Sequence, residues 1–380
     1  MSILVNPAVV FSLSWFSVLL GMQVKWSDLI VETPFILTVT IYSTIVSSLM
    51  AFIVVRYLLP RKKRLNFVAP ISNDMSFSGV GVLSTILVTG HLFELLLEGN
   101  LPLFSLFFGK YILYADYGIS GLHGFLNAIQ LYIFIISFYR YLKHKDRTSM
   151  KICFALMVLS ILMLSRAMIL WQILQAIFLY LALNQVNFRR FLKLSIYTVI
   201  TMGFFILIGN SRVKEGFSIT SIAQINENYP SILTEEFIWI YLYLTSPFNN
   251  IANSIANFEA ARYFPFNTLL FALPNVVKGS LGLKADNMVL TVDDNLNVAS
   301  YLDTFLPDFG FTFTWFAIFI VFFGFSLIYR KARFNDKFVI LNSVACSMAF
   351  FSVFTNTFTT LILLIEISLL FFLVKRKLVR

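Results

Sequence analysis

Runs of Lys and Arg close the apolar blocks of this chain, and that alternation limits what it can fold into. The runs are Arg61, Lys62, Lys63, Arg64; Lys143, Lys145, Arg147; Arg189, Arg190, Lys193; Arg330, Lys331, Arg333; and Lys375, Arg376, Lys377, Arg380. Between them lie stretches long enough to cross a bilayer once or twice, a crossing needing roughly 20 apolar residues. With 58% hydrophobic residues, 13% charged residues and 43 Phe, the surface cannot be covered by water alone. These features predict an all-α polytopic membrane protein.

The pattern predicts ten spans, at about 4–21, 35–59, 77–97, 122–141, 151–165, 167–184, 194–210, 311–329, 338–355 and 359–374. On that layout one side carries 21 of the 29 Lys and Arg against three acids, and the other carries 8 against 15. The excess of Lys and Arg marks the cytoplasmic side, so both termini are expected in the cytoplasm. Positive charge sorted by side, rather than gathered on one face, argues against a nucleic-acid partner. Arg166 splits one apolar run into spans five and six. A hairpin with Arg166 at the outer rim fits the basic flanks, Lys151 and Arg189; a single long tilted helix would invert everything downstream. Cys153 and Cys346 fall inside spans, so no disulfide framework is indicated. The N-terminus lacks a basic leader and a small-residue cleavage site, and reads as a retained first span.

Three regions follow. Residues 1–209 hold spans one to seven, with a re-entrant or interfacial segment at 98–121 that is too apolar for a free loop and too broken by Gly and Pro for a span. Residues 210–309 form a large outer loop with five of the ten prolines. Within it Phe237–Tyr243 and Phe264–Leu273 suit short amphipathic helices on the outer surface. Residues 310–380 hold spans eight to ten and a basic tail. A loop of that length inside a compact protein is usually functional.

The chemistry is sparse. His91, His123 and His144 are scattered, without paired metal spacing, and no phosphate-binding glycine motif occurs. No metal and no cofactor is expected. Ionisable residues within spans are few (His91, Glu94, Glu366). On the outer side Arg166, with Arg212 and Lys214 in GNSRVKEG, offers cations at headgroup level, where a guanidinium can hold a phosphate or diphosphate through paired donors. Each also fits a snorkelling anchor, but a charge interrupting an apolar run points to a site. In NVASYLDTFLPDFG, Asp303 and Asp308 suit a general base or a helix-entrance cap. His123, in YGISGLHG, suits a base or a satisfied rim histidine. Trp239, Tyr241 and Tyr243 with Asn249, Asn250 and Asn253 combine stacking faces and amides, as glycan binding requires; an interfacial aromatic belt is the other reading.

Four stretches together resemble the oligosaccharide repeat-unit polymerases of bacterial surface polysaccharide assembly, the O-antigen polymerase (Wzy) family. They are LPLFSLFFGKYILYADYGISGLHG (101–124), SRAMILWQILQAIFLYLAL (165–183), IYLYLTSPFNNIANSI (240–255) and NVASYLDTFLPDFGFTFTWFAIFIVFFGFSLIYRKAR (297–333). In the last, NVASYLDTF replaces the more usual aromatic-Thr pair after Asn-Val. The resemblance implies a GT-C-like helical fold with a periplasmic loop domain in the bacterial inner membrane. It implies a metal-independent glycosyltransferase that moves a growing glycan from undecaprenyl diphosphate onto the next lipid-linked repeat unit. The expected partners are lipid-linked glycans, membrane lipids, and the chain-length regulator, flippase and ligase of the same pathway. Under that reading Arg166, Arg212 and Lys214 hold the diphosphate, and Asp303, Asp308 or His123 handles the acceptor hydroxyl. The alternatives are an O-antigen ligase, a flippase or transporter, and a scaffold for other assembly proteins. A flippase would place paired charges near the midplane and often two similar halves, neither of which the sequence carries.

Overall fold

The computed structural model describes residues 2–58, 75–77, 79–107, 117–184, 223–258, 262–284, 288–293, 296 and 298–376. Expectations that rest on the seventh span, on Arg212 and Lys214, and on the basic runs at 61–64 and 189–193 lie outside these residues. The fold is mostly helical. In chain order the helices are α1 Pro7–Val24, α2 Phe35–Ile53, α3 Val80–Glu98, α4 Pro102–Phe107, α5 Leu122–His144, α6 Arg147–Leu162 and α7 Arg166–Leu183; then α8 Ile238–Asn253, α9 Phe266–Phe271, α10 Asn275–Ser280, α11 Leu302–Ala332, α12 Asp336–Phe351 and α13 Leu361–Leu373. Two short strands, β1 Met75–Phe77 and β2 Val374–Arg376, pair antiparallel.

Among the described residues six helical stretches are long and apolar enough to cross a membrane: Pro7–Val24, Phe35–Leu58, Val80–Ser105, Leu122–His144, Arg166–Leu183 and Leu302–Ala332. They are compatible with a multi-pass membrane protein. The fifth, ninth and tenth expected spans are helices of 16, 16 and 13 residues, shorter than a full crossing.

Local chemistry sets the helix ends. Asn6 caps α1 by accepting from the Ala8 amide at 3.0 Å, with Pro7 at the first helical position. Asp146 caps α6 through the Thr148 amide (3.0 Å), and Asn335 caps α12 through Lys337 (3.0 Å). Gly99 ends α3 at φ +76°, where its amide reaches the Leu95 carbonyl. Leu164, at φ +53°, turns the chain between α6 and α7, the hairpin expected around Arg166.

Helix α12 is buried along most of its length and packs against α1, α7, α11 and α13. Beside it Phe11, Trp15, Tyr301, Phe305, Phe322 and Phe358 interlock, with Phe11 and Phe322 at 4.7 Å between ring centroids. A polar layer joins α5, α6 and α7. The Gln130 amide donates to the Leu156 carbonyl (2.9 Å) and Ser160 Oγ (2.7 Å), and Ser160 Oγ donates to Gln172 Oε1 (3.4 Å).

The contacts give the bundle two unlike ends. At one, Tyr139 donates to Asp336 (2.7 Å), Lys143 pairs with Asp336 (3.0 Å), Arg330 reaches the Val55 carbonyl (2.9 Å) and Lys337 reaches the Phe371 carbonyl. At the other lie the starts of α5, α7, α11 and α13. A satellite core stands there, built from Leu29, Ala223, Ile238, Trp239, Tyr241, Leu242 and Leu296. The helix expected on the outer surface at Phe237–Tyr243 is thus part of a longer, half-buried one. Apolar side chains on α8 face both this core and α1, and Gly21 lets the two helices approach, since a Cβ there would lie 2.8 Å from Thr245 Cγ2.

Candidate functional site

Arg166 is the first residue of α7, preceded by Ser165 at the N-cap position. Its Nη1 donates to the Tyr243 hydroxyl on α8 at 3.1 Å, and Tyr243 stands 6.2 Å from Trp239. The half-buried guanidinium expected at the rim is therefore joined to two of the aromatic residues expected to bind glycan. A fixed guanidinium beside an aromatic hydroxyl and an indole face suits an anionic headgroup with a sugar attached.

His123 sits in the first turn of α5. Its Nδ1 lies 2.9 Å from Glu94 Oε2 on α3, and His91 Nδ1 lies 3.2 Å from the same oxygen. The Ile119 amide donates to the other oxygen, Oε1, at 3.2 Å. Two histidines scattered in sequence thus converge on one carboxylate. The YGISGLHG turn makes room for it. Gly118 adopts φ +82°, and a Cβ there would stand 2.6 Å from Glu94 Oε1 and 2.9 Å from His123 Nδ1. Tyr117 stands edge-on to His123 at 5.9 Å. Burial, with Glu94 and Glu98 nearby, pushes its phenol up to about 12. Seven residues separate His123 from Gln130 and six separate Arg166 from Gln172, so at about 1.5 Å per residue both stand roughly 10 Å from the shared polar layer. They occupy the same end of parallel helices.

The two aspartates of α11 differ. Asp308 is fully buried. Its Oδ1 accepts from the Asn267 amide (2.8 Å) and Asn267 Nδ2 (3.1 Å), and its Oδ2 accepts from the Thr268 amide (2.6 Å). It therefore fastens the start of α9 to α11, with both oxygens occupied. Asp303 is half-buried and accepts no hydrogen bond from any described residue. Both stand within helix α11, which begins at Leu302 and breaks at Gly310 (φ +62°), rather than in a loop that leads into a span. The Tyr301 amide donates to the Ser352 carbonyl at 3.0 Å, and the neighbouring Phe351 meets Trp171 of α7 at 6.2 Å.

The remaining residues expected to bind glycan hold backbone instead. Asn249 Nδ2 donates to the Leu29 carbonyl (2.8 Å) and its Oδ1 accepts from the Val31 amide (2.9 Å). Asn250 Nδ2 donates to the carbonyls of Leu296 (2.6 Å) and Val298 (2.8 Å), and its Oδ1 accepts from Val292 (2.9 Å). Asn253 reaches the Leu290 carbonyl at 3.2 Å. The Tyr241 hydroxyl accepts from the Trp26 amide (3.2 Å), and burial pushes its phenol above the ordinary value. These side chains tether the loops at 26–31 and 290–298 to α8. Glu94 is the residue the sequence reading did not assign. The only signal for it was an ionisable residue in an apolar span, three positions from a histidine.

No protein-family model, curated protein or solved structure matches this chain. The fold and the site therefore define a class and no family: a helical, multi-pass-compatible protein with a cation and aromatic residues at one end of its bundle.

Proposed function

We propose that this chain polymerises undecaprenyl-diphosphate-linked oligosaccharide repeat units at the periplasmic face of the bacterial inner membrane, as a metal-independent glycosyltransferase with about ten spans and both termini in the cytoplasm. The observation that carries the reading is the Arg166–Tyr243 hydrogen bond, which couples a rim guanidinium to the aromatic helix of the outer loop at the end of the bundle opposite the Lys143–Asp336 pair. That juxtaposition suits a diphosphate and its first sugars.

In this reading Arg166, with Arg212 and Lys214, holds the donor diphosphate and stabilises the charge that grows as it leaves. Trp239 and Tyr243 face the attached sugars. The acceptor hydroxyl attacks the anomeric carbon, the bond from that carbon to the diphosphate oxygen breaks, and undecaprenyl diphosphate departs. Asp303 takes the hydroxyl proton, because it is the α11 carboxylate without a described hydrogen-bond donor. Removing one preorganised donor to developing charge costs about 10²–10³ in rate in other enzymes. The Arg166→Ala variant is therefore expected to insert normally but to leave lipopolysaccharide with a single repeat unit in place of a ladder. Long-chain ladders from that variant would refute the diphosphate role.

A further inference from the structure

The trio His91, Glu94 and His123 has no part in the reaction above, and its geometry asks for a separate explanation. Glu94 is fully buried at the end of α3, and His91 and His123 are 7% and 9% exposed. No Lys or Arg among the described residues pairs with the Glu94 carboxylate. A buried carboxylate is costly unless its charge is offset, and His91 and His123 offset it only when protonated. Two neutral imidazoles would supply hydrogen bonds but leave the charge in place. The two Nδ1 atoms approach one oxygen from different helices, at 3.2 and 2.9 Å. One potential ligand atom from each of the three residues lies within 4.8 Å of the others. Ligands about 2.0–2.2 Å from a tetrahedral cation stand roughly 3.3 Å apart.

We propose that His91, Glu94 and His123 bind one divalent transition-metal cation of the zinc class, through two Nδ1 atoms and Oε2, with a fourth position open. Imidazole and carboxylate form the donor set such an ion takes. The ion replaces any proton at each Nδ1 and offsets the Glu94 charge. His91 and Glu94 lie one turn apart on α3, and His123 opens α5. The bound ion therefore clamps the end of α3, the turn at Gly118 and the start of α5. Its role is to hold this rim of the bundle, and it does not depend on which reaction the protein performs.

The full-length protein, purified in detergent and stripped with a chelator, is titrated with Zn²⁺ and separately with Co²⁺. The expected result is about one ion per chain, with a raised melting temperature. Affinity should fall at least ~10-fold in both E94Q and H123A and stay unchanged in H144A, whose imidazole stands at the far end of α5. X-ray absorption of zinc-loaded wild-type protein should report imidazole nitrogen and carboxylate oxygen ligands, a readout that needs no variant to fold. Failure of the wild type to bind stoichiometrically overturns the proposal and leaves a proton-mediated contact. Binding that survives both E94Q and H123A, or sulfur ligation in the absorption spectrum, overturns it as well.

Discussion

Asp303 and Asp308 carry the same functional group on one helix, and their surroundings differ. Asp308 spends both oxygens on the amides of Asn267 and Thr268. An Asn there keeps the shape but turns an NH₂ toward one of those donors. D308N is expected to lower stability by about 1–3 kcal/mol, the cost of a buried donor left unpaired, read as a fall in melting temperature. D303N removes no described hydrogen bond, so its melting temperature should stay put while elongation stops. A D303N strain that still makes a full ladder would remove Asp303 from the chemistry. Arg166 carries a third prediction. R166K keeps the charge but loses the planar fork, so it should behave like R166A, whereas Y243F should cost less because it removes one bond. The turn at Arg166 was legible because an ionised side chain inside an apolar run has few reasons to exist. Asn249 and Asn250 were misleading, because an amide that suits a sugar hydroxyl suits a backbone carbonyl equally well. The grouping of Glu94 with two histidines was not legible, since His123 lies 29 residues on and meets it only across helices.

Helix α8 shows why elements within residues 210–309 were harder to read than the long apolar helices. Its sequence carries Pro247, which lacks the N–H that would bond the Tyr243 carbonyl, and its apolar run is too short to cross a membrane. Packing overrides that local cost. Ile238, Trp239 and Leu242 enter the satellite core, while Phe248 meets Trp15 of α1 edge-on at 5.8 Å. The apolar helices, by contrast, declare themselves by composition: nine of the ten expected positions fall on described helices, six of them long and apolar enough to cross a membrane. Their lengths did not follow, because helix caps such as Asp146 and Asn335 set the boundaries and hydropathy does not resolve them. If α8 is the post to which the loop is tied, Asn250 is its main knot, with three hydrogen bonds to residues 292, 296 and 298. N250A should loosen the 288–300 segment by on the order of 2–3 kcal/mol, since several buried groups lose partners. Limited proteolysis would show this as faster cleavage there, with the bundle intact; equal cleavage rates would mean that other contacts hold the loop.

At the scale of the molecule, the two ends of the bundle are unlike, and the functional reading needs them to face different compartments. The end with Lys143 and Arg330 matches the basic loops of the sequence, and the opposite end holds the helix starts that carry Arg166, Asp303 and His123, with the satellite core. A reaction on lipid-linked glycan exported from the cytoplasm requires the second end to face outward. The test uses a chain in which Cys153 and Cys346, both buried, are replaced by Ser, and one new cysteine is added. Ile232 is 90% exposed just before α8, and His144 closes α5 at the basic end. On intact spheroplasts a membrane-impermeant maleimide should modify I232C at once and H144C only after permeabilisation. The reverse pattern would turn the satellite core toward the cytoplasm, where an enzyme of the proposed kind has no substrate. Labelling of both sites on sealed cells would mean that the bundle does not separate two compartments, and the six apolar helices would then need a partner other than lipid to cover them.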